Sequence, residues 1–220
     1  MIGSIKSLQI GPIKKIRDES GKREDFYTGF VKEPYNYRVW LDVDGLQGDA
    51  VGDTQNHGGF DKALLGFGSS NYRHYEQTLG LELPYGGFGE NLTFDGFNEE
   101  DLCLGDILEI GDVIVEVSQP RQPCWKIDYR WGVNSLLKEV IRCGKTGFYF
   151  RVLKEEYLSQ GMLVKLQNRP HPKLTIAKIN NAMYNTKEHI DLAKKILETG
   201  SLADAFKQDL EKNLLKAYAS

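Results

Sequence analysis

Cys124 is the residue whose type and surroundings point most directly to chemistry. It follows a strand-like apolar run and stands behind Pro120 and Pro123, which hold φ at about −65° and steer the residues before them into extended forms. The cysteine is therefore expected on a stiff, non-helical loop at the end of a strand. Arg121 and Lys126 lie nearby in the chain, and cations favour a thiolate, which is both a nucleophile and a metal ligand. The other interpretation is a buried cysteine that fills space on a rigid turn.

A histidine followed by two glycines forms a second chemical candidate, together with the charged pair after it. The residues are His57, Gly58, Gly59, Asp61 and Lys62. Consecutive glycines let backbone N–H groups approach an oxyanion. His57 could donate to a phosphate or shuttle a proton. The same residues also fit a plain exposed loop, so this motif leaves both interpretations open.

Three glycines within four positions, Gly86, Gly87 and Gly89, come directly before Glu90 and Asn91. Glycines at this density indicate positive φ angles or close backbone packing. An asparagine side chain offers both a donor and an acceptor, so Asn91 could read the edge of a heterocycle. A tight barrel corner at the start of a strand is the alternative.

Other catalytic signatures are absent from the sequence, including nucleotide-binding glycine motifs and the Gly-x-Ser-x-Gly elbow. Cys103, Cys124 and Cys143 form no Cys-x-x-Cys pair, and the four histidines lack metal-ligand spacing, so no zinc or iron–sulfur site is expected. Cys103 and Cys143 are expected to be structural. An odd cysteine count without a secretory signal indicates reduced thiols in the cytoplasm.

The composition of the 220-residue chain is that of a soluble globular protein. Hydrophobic residues make up 40% and charged residues 27%, and no apolar run is long enough to span a membrane. A net charge of −3 supplies no field that would attract nucleic acid or acidic membranes.

Short apolar runs separated by glycine turns predict the elements that position these residues. Their β-branched and aromatic residues favour an all-β barrel or sandwich, with a hairpin over residues 107–117. Helices are predicted over residues 71–79 and 135–142. After Pro170-His171-Pro172 the period becomes helical, with starts at Thr175, Thr186 and Ser201. The sequence thus predicts a β domain over residues 1–166 and a three-helix domain over 172–216.

Five motifs stand in one order along the chain, and together they resemble the MOSC domain, named after the C-terminal domain of molybdenum-cofactor sulfurase. The similarity is to the YiiM-like subgroup, in which three helices follow the barrel. Phe60 departs from the family pattern, where a proline is usual. The motifs are Gly45-Leu46-x-Gly48-Asp49, His57-Gly58-Gly59-x-Asp61-Lys62-Ala63, Gly89-Glu90-Asn91-Leu92, Gly105-Asp106-x-x-x-Ile110-Gly111 and Ser118-Gln119-Pro120-Arg121-x-Pro123-Cys124-x-Lys126.

The resemblance implies a mainly β fold, a closed antiparallel-rich barrel related to that of pyruvate kinase, with a small C-terminal three-helix domain. It implies a molybdenum cofactor (molybdopterin) whose metal is bound by Cys124, and proton delivery by His57 or Asp61. The cofactor's phosphate needs backbone donors and cations. The residues assigned to the cofactor are Gly58, Gly59, Lys62, Glu90, Asn91, Gln119, Arg121 and Lys126.

The resemblance also implies an activity, the reduction of N-hydroxylated compounds such as base analogues and amidoximes. No pyridoxal phosphate domain or iron–sulfur ligand set is expected in the chain, so electrons would come from a separate donor protein. The alternative function is a sulfur carrier, in which a desulfurase forms a persulfide on Cys124. The oligomeric state stays open, with a homodimer as one option.

Overall fold

A computed structural model describes residues 1–17, 24–52 and 58–219. Strands dominate the first three quarters of the chain. In chain order they are β1 (Ile2–Ile10), β2 (Lys14–Ile16), β3 (Phe26–Thr28), β4 (Glu33–Pro34), β5 (Val39–Asp42), β6 (Gly45–Leu46), β7 (Leu64–Gly68), β8 (Leu92–Asp95), β9 (Ile107–Ile110), β10 (Val113–Pro120), β11 (Phe148–Lys154), β12 (Glu156–Leu158) and β13 (Leu163–Asn168).

Seven of these strands close into a barrel in the order β1-β8-β7-β11-β10-β9-β13, and β13 pairs back with β1. The closing register sets Ile2 opposite Lys165. Every pair around the barrel is antiparallel except β7 with β8, where Gly66 lies beside Leu92 in a parallel pair. The barrel is therefore mixed, and the predicted closed, antiparallel-rich β-barrel is confirmed.

The described residues also form six α-helices and two 3-10 turns, at Phe60–Lys62 and Thr186–Glu188. The predicted helices over residues 71–79 and 135–142 are confirmed within two residues at each end, whereas the short second helix was not predicted. None of the helices in the described ranges is long and apolar enough to cross a membrane. They are α1 (Ser69–Leu79), α2 (Lys126–Trp131), α3 (Leu136–Cys143), α4 (Ile176–Tyr184), α5 (Ile190–Leu197) and α6 (Asp204–Tyr218).

The C-terminal helices begin at different caps from those predicted, with one exception. Thr175 caps α4 as expected, because its side chain accepts a hydrogen bond from a backbone N–H of the first turn. Thr186 instead donates its hydroxyl back to the carbonyl of Ala182, 2.8 Å away, so α5 starts only after His189. Ala203, and not Ser201, precedes α6.

The three C-terminal helices pack on the barrel through a shared apolar core. Ile176, Ile179 and Phe206 belong to the same buried cluster as barrel residues such as Leu104 and Val117. The change from strands to helices falls between β13 and α4, close to the predicted boundary. The division into two domains itself stays a prediction.

A buried ion pair fixes the segment that joins the barrel to the helices. The Asp106 carboxylate is fully buried and accepts two hydrogen bonds from the Arg169 guanidinium, at 2.9 Å from Nε and 2.6 Å from Nη2. It also accepts the backbone N–H of Cys103 at 2.9 Å. The motif that contains Gly105 and Asp106 is thus structural in this chain.

Replacing Asp106 with asparagine is expected to lower the free energy of unfolding by about 3 kcal/mol. This value is at the lower end of the range for breaking a buried ion pair, because Arg169 keeps some access to water. Urea unfolding measures the change. Asp112→Asn is the control, since that carboxylate is 82% exposed and 4.0 Å from Lys154. Similar unfolding midpoints for the two variants would contradict this role of Asp106.

Candidate functional site

A cavity of about 310 Å³ brings together residues from distant parts of the chain. Seven of the predicted site residues line it, and the structure adds Phe30, Lys32, Asp49 and Tyr149 among the other lining residues. Asp61, Glu90 and Gln119 are not among its lining residues, and His57 lies outside the described residues. The seven are Gly58, Gly59, Lys62, Asn91, Arg121, Cys124 and Lys126.

Cys124 lies on an irregular segment between the end of β10 and the start of α2. The two prolines hold this segment out of helix and strand, and its ends are anchored by backbone hydrogen bonds. Arg121 donates its N–H to the carbonyl of Gly147 at 2.9 Å, and the Cys124 carbonyl accepts from Ile127 at 3.2 Å. The half-buried thiol is thereby held at the cavity wall.

The buried guanidinium of Arg121 is the group that points most clearly to an anionic ligand. Its side chain is only 3% exposed, and its guanidinium carbon lies 5.8 Å from the ring centroid of Phe30. Within the described ranges, Nη1 of Arg121 has no hydrogen-bond partner. Buried polar groups are nearly always paired, and a guanidinium pairs best with phosphate or carboxylate oxygens. The cavity therefore presents a buried cationic donor to a ligand.

Gly59 and Lys62 frame another side of the cavity through a tight turn. Gly59 has φ of 92°, which favours glycine, and its carbonyl accepts the N–H of Lys62 at 2.9 Å. A Cβ built on Gly59 would meet nothing within 4 Å, so this glycine is explained by its backbone angle. The Lys62 ammonium lies 6.0 Å from the ring centroid of Tyr149. Together with Lys126, it adds positive charge at the cavity.

Asp61 is turned away from the cavity towards the barrel. Its carboxylate pairs with Nε of Arg151 at 2.5 Å, and Arg151 also contacts Glu116 at 3.3 Å. The backbone carbonyl of Asp61 accepts the hydroxyl of Ser118 at 2.6 Å. These contacts anchor the 3-10 turn to the barrel. Asp61 does not line the cavity, and the proton delivery expected of its carboxylate stays a prediction.

Glu90 is a buried anchor for the glycine turn rather than a cavity residue. Its carboxylate accepts the N–H groups of Gly86 at 2.8 Å and Phe88 at 3.2 Å, and the hydroxyls of Thr93 at 2.9 Å and of Tyr72. Burial, with the charge of Glu90 beside it, raises the pKa of Tyr72 well above its usual value. The Glu90 oxygens bind this turn and Glu90 does not line the cavity, so its contact with a cofactor stays a prediction.

Asn91 lines the cavity, but its amide is largely used to hold the wall together. Its Oδ1 accepts the N–H of Leu65 at 3.1 Å, and its Nδ2 donates to Asp49 at 2.8 Å. Asp49 also accepts the ammonium of Lys32 at 2.6 Å and the N–H of Gly11 at 2.8 Å. Burial lowers the pKa of Lys32, and the Asp49 carboxylate opposes that shift. Among the described residues only Asp49 accepts from the Asn91 amide, so its second N–H can make the predicted contact with a heterocycle.

Tyr149 is a cavity residue that the sequence analysis missed. It lies on β11 opposite Gln119, between the buried Phe148 and Phe150, and burial raises the pKa of its phenol. The alternation of one tyrosine between two phenylalanines is the signal that could have marked it.

Gln119, which was predicted to bind the cofactor, is fully buried and donates its Nε2–H to the carbonyl of Pro120 at 3.0 Å.

A buried carboxylate supports the strand beside Arg121. Glu99 accepts the N–H of Gly147 at 2.7 Å and the amide of Asn71 at 2.8 Å, and Gly147 in turn accepts the N–H of Arg121. Burial raises the pKa of the Glu99 carboxyl above 4.5. Glu99 therefore links α1 to the segment that carries the site.

Glu99 is expected to make stability depend on pH. Between pH 4.5 and the raised pKa, the folded protein keeps a proton that the unfolded chain has lost, so the free energy of unfolding falls as pH rises through that window. Glu99→Gln should remove this slope in urea unfolding series from pH 4.5 upward. Glu100, the exposed neighbour of Glu99, provides the control, because Glu100→Gln should keep the slope of stability against pH. An unchanged slope in Glu99→Gln would contradict the assignment.

The fold is that of a known family. The model of the MOSC domain matches residues 53–165, and this chain belongs to the MOSC domain family. The protein YflK of Bacillus subtilis (strain 168) is 34% identical over 209 residues, which cover 95% of this chain and 93% of that protein. The resemblance noted in the sequence is confirmed.

YiiM proteins are similar to this chain in sequence and in structure. The crystal structure of YiiM from Geobacillus stearothermophilus has a TM-score of 0.81 and 32% identity, covering 96% of this chain and 99% of that chain. YiiM of Escherichia coli (strain K12) is 27% identical over 176 residues, or 78% of this chain and 77% of that protein. A protein of Gibberella moniliformis named "Reductase" is 29% identical over 185 residues, 82% of this chain but only 32% of that protein.

Proposed function

We propose that this protein reduces N-hydroxylated compounds, such as base analogues and amidoximes, with a molybdenum cofactor bound in the cavity. The observation that carries the proposal is that the Cys124 thiol and the buried, incompletely paired guanidinium of Arg121 line one cavity. Membership of the MOSC family and the likeness to a protein named as a reductase support it.

The chemistry of the lining residues fits such a cofactor. A cysteine thiolate is a soft ligand that suits molybdenum. Arg121, Lys62 and Lys126 supply positive charge for a phosphate, and the backbone at Gly58 and Gly59 supplies room for close approach. The cavity volume, about 310 Å³, is at the lower end of the range for small-molecule and cofactor sites.

The residues of the chain would divide the work as follows. Cys124 would bind the metal, and Arg121 with Lys62 would hold the anionic end of the cofactor. The bound cofactor would supply the two electrons of the reduction.

Cleavage of an N–OH bond to an amine also needs two protons and releases water. One proton stays on the amine nitrogen and the other leaves in the water; both come from solvent, with His57 or Asp61 as the donor that the family resemblance implies. Tyr149 stays protonated at neutral pH, because burial raises its pKa, and can donate a hydrogen bond to the departing hydroxyl.

The proposal includes a separate protein as the electron donor, because the sequence carries no iron–sulfur or flavin motif. The substrate would be a small molecule, and the protein would act in the reducing environment of the cytoplasm. The three free cysteines support a reducing compartment, since disulfides form mainly in oxidising ones.

A turnover assay tests this proposal against sulfur transfer. Protein purified from cells that make the cofactor, supplied with dithionite, should convert a hydroxylaminopurine and an amidoxime to the corresponding amines. Cys124→Ala prepared in the same way should not. In parallel, a cysteine desulfurase with labelled cysteine is offered to the same protein. Persulfide on Cys124 with no reduction of either N-hydroxylated substrate would assign the chain as a sulfur carrier.

A further inference from the structure

Three metal-binding side chains meet outside the cavity, where side chains of α1 and α3 contact each other. The ligand atoms of His74, Glu139 and Cys143 all lie within 4.8 Å of one another. Nε2 of His74 is 3.0 Å from Oε1 of Glu139. Glu139 and Cys143 are four residues apart on α3, which sets them on one face of that helix. None of the three lines the cavity that holds Cys124.

We propose that His74, Glu139 and Cys143 form a zinc site. Imidazole nitrogen, carboxylate oxygen and thiolate sulfur are the ligand atoms that zinc takes in proteins, and three protein ligands leave a fourth position for water. One carboxylate and one thiolate also balance the two positive charges of the ion, and the imidazole binds as a neutral ligand. The site does not depend on the proposed function.

The helices that carry the ligands are held rigidly, which favours a preformed site. The buried residues Tyr75 on α1 and Leu136 and Val140 on α3 belong to one apolar cluster with Phe67 and Phe88. His74 keeps one side of the site open to solvent, because its side chain is 26% exposed, whereas Glu139 is buried. A metal ion would therefore approach from the side of His74.

A metal ion would displace the Tyr75 hydroxyl, which lies 3.6 Å from the Cys143 sulfur. It would also compete with Arg142 for Glu139. The geometry of Arg142 allows it to become an outer partner. Its Nε lies 2.7 Å from Oε2 of Glu139, and its Nη2 lies 2.7 Å from Oε1. The Arg142 side chain is 64% exposed, so it can release Oε1 and keep Oε2. A hydrogen bond to the second oxygen of a ligating carboxylate is the usual arrangement around zinc.

The sequence gives no sign of this site, because His74 and Glu139 are 65 positions apart and come together only when α1 packs on α3. Such a site would clamp the two helices to each other. Zinc is therefore expected to raise the Tm of the protein, since a ligand that binds only the folded state stabilises it.

Titration with cobalt chloride, a spectroscopic substitute for zinc, tests the proposal. The full chain with Cys124→Ser removes the thiol of the cavity from the experiment. This protein should develop a cobalt–thiolate charge-transfer band that saturates at one equivalent and disappears when zinc chloride is added. His74→Asn and Cys143→Ser, each in the same background, should lose the band, and His171→Asn should keep it.

Circular dichroism shows whether each variant is folded before titration. The proposal is overturned if the folded Cys124→Ser protein gives no band with stoichiometric cobalt. It is equally overturned if the band survives in either His74→Asn or Cys143→Ser. In those cases His74, Glu139 and Arg142 form an ion-pair network between the helices and nothing more. Stoichiometric binding that both ligand variants lose supports it.

Discussion

Replacing Cys124 with alanine is expected to abolish the retention of molybdenum and leave the barrel folded. The thiol lies half-buried on an irregular segment at the cavity wall, outside the apolar core, so its removal costs little stability. It is also the one soft ligand that we propose for the metal. Molybdenum per chain, measured by mass spectrometry after gel filtration, and the fluorescence of the released pterin follow the loss.

Cys103→Ala is the matched control for this experiment. Cys103 is buried, and its thiol lies 3.7 Å from the carbonyl of Pro172, outside the cavity. This variant should keep its molybdenum and lose on the order of 1 kcal/mol of stability. Equal molybdenum content in wild-type protein and Cys124→Ala would show that Cys124 is not a ligand of the metal.

Replacing Arg121 with methionine is expected to weaken cofactor retention by about 10- to 150-fold, which corresponds to about 1.5–3 kcal/mol for a hydrogen bond to a charged group. The fold should survive the change. Among the described residues, Nη1 of the buried Arg121 has no hydrogen-bond partner, so the folded protein bears the cost of removing this charged group from water. The methionine side chain has a similar length and no charge, so it avoids this cost. The Tm of Arg121→Met protein should therefore equal or exceed that of the wild type.

The rate at which loaded protein releases its cofactor on dilution measures this effect. Arg38→Met is the control, because Arg38 lies over the ring of Tyr157, 4.8 Å from its centroid, and does not line the cavity. Release should be fast from Arg121→Met and unchanged in Arg38→Met. Equal release rates from the two variants would contradict the anion-binding role of Arg121.

The local elements were predictable because their signals lie within a few residues of one another. The hairpin of β9 and β10 turns at Gly111, which has φ of 62°, as the glycine after an apolar run indicates. The parallel pairing of β7 with β8 was not predictable, since Gly66 and Leu92 meet only after α1 and the glycine turn have crossed between the strands. Strand order depends on such distant pairings.

The candidate site shows the same division between local and tertiary information. The proline-bounded loop identified Cys124 and Arg121, and the structure sets both at the cavity. A carboxylate beside a glycine turn gives the same local signal whether it binds a ligand or the N–H groups of that turn, so the sequence does not show that Glu90 binds the turn. Lys32 and Tyr149 were missed because only the folded chain brings them to the cavity.

Anomalous scattering at the molybdenum edge, from crystals of the cofactor-loaded protein, shows whether Cys124 and Arg121 bind a molybdenum cofactor. We expect one strong peak within bonding distance of the Cys124 sulfur, and a phosphate within hydrogen-bond distance of Nη1 of Arg121. A peak elsewhere in the molecule, or a cavity that stays free of molybdenum in protein purified from cells that make the cofactor, would contradict this expectation.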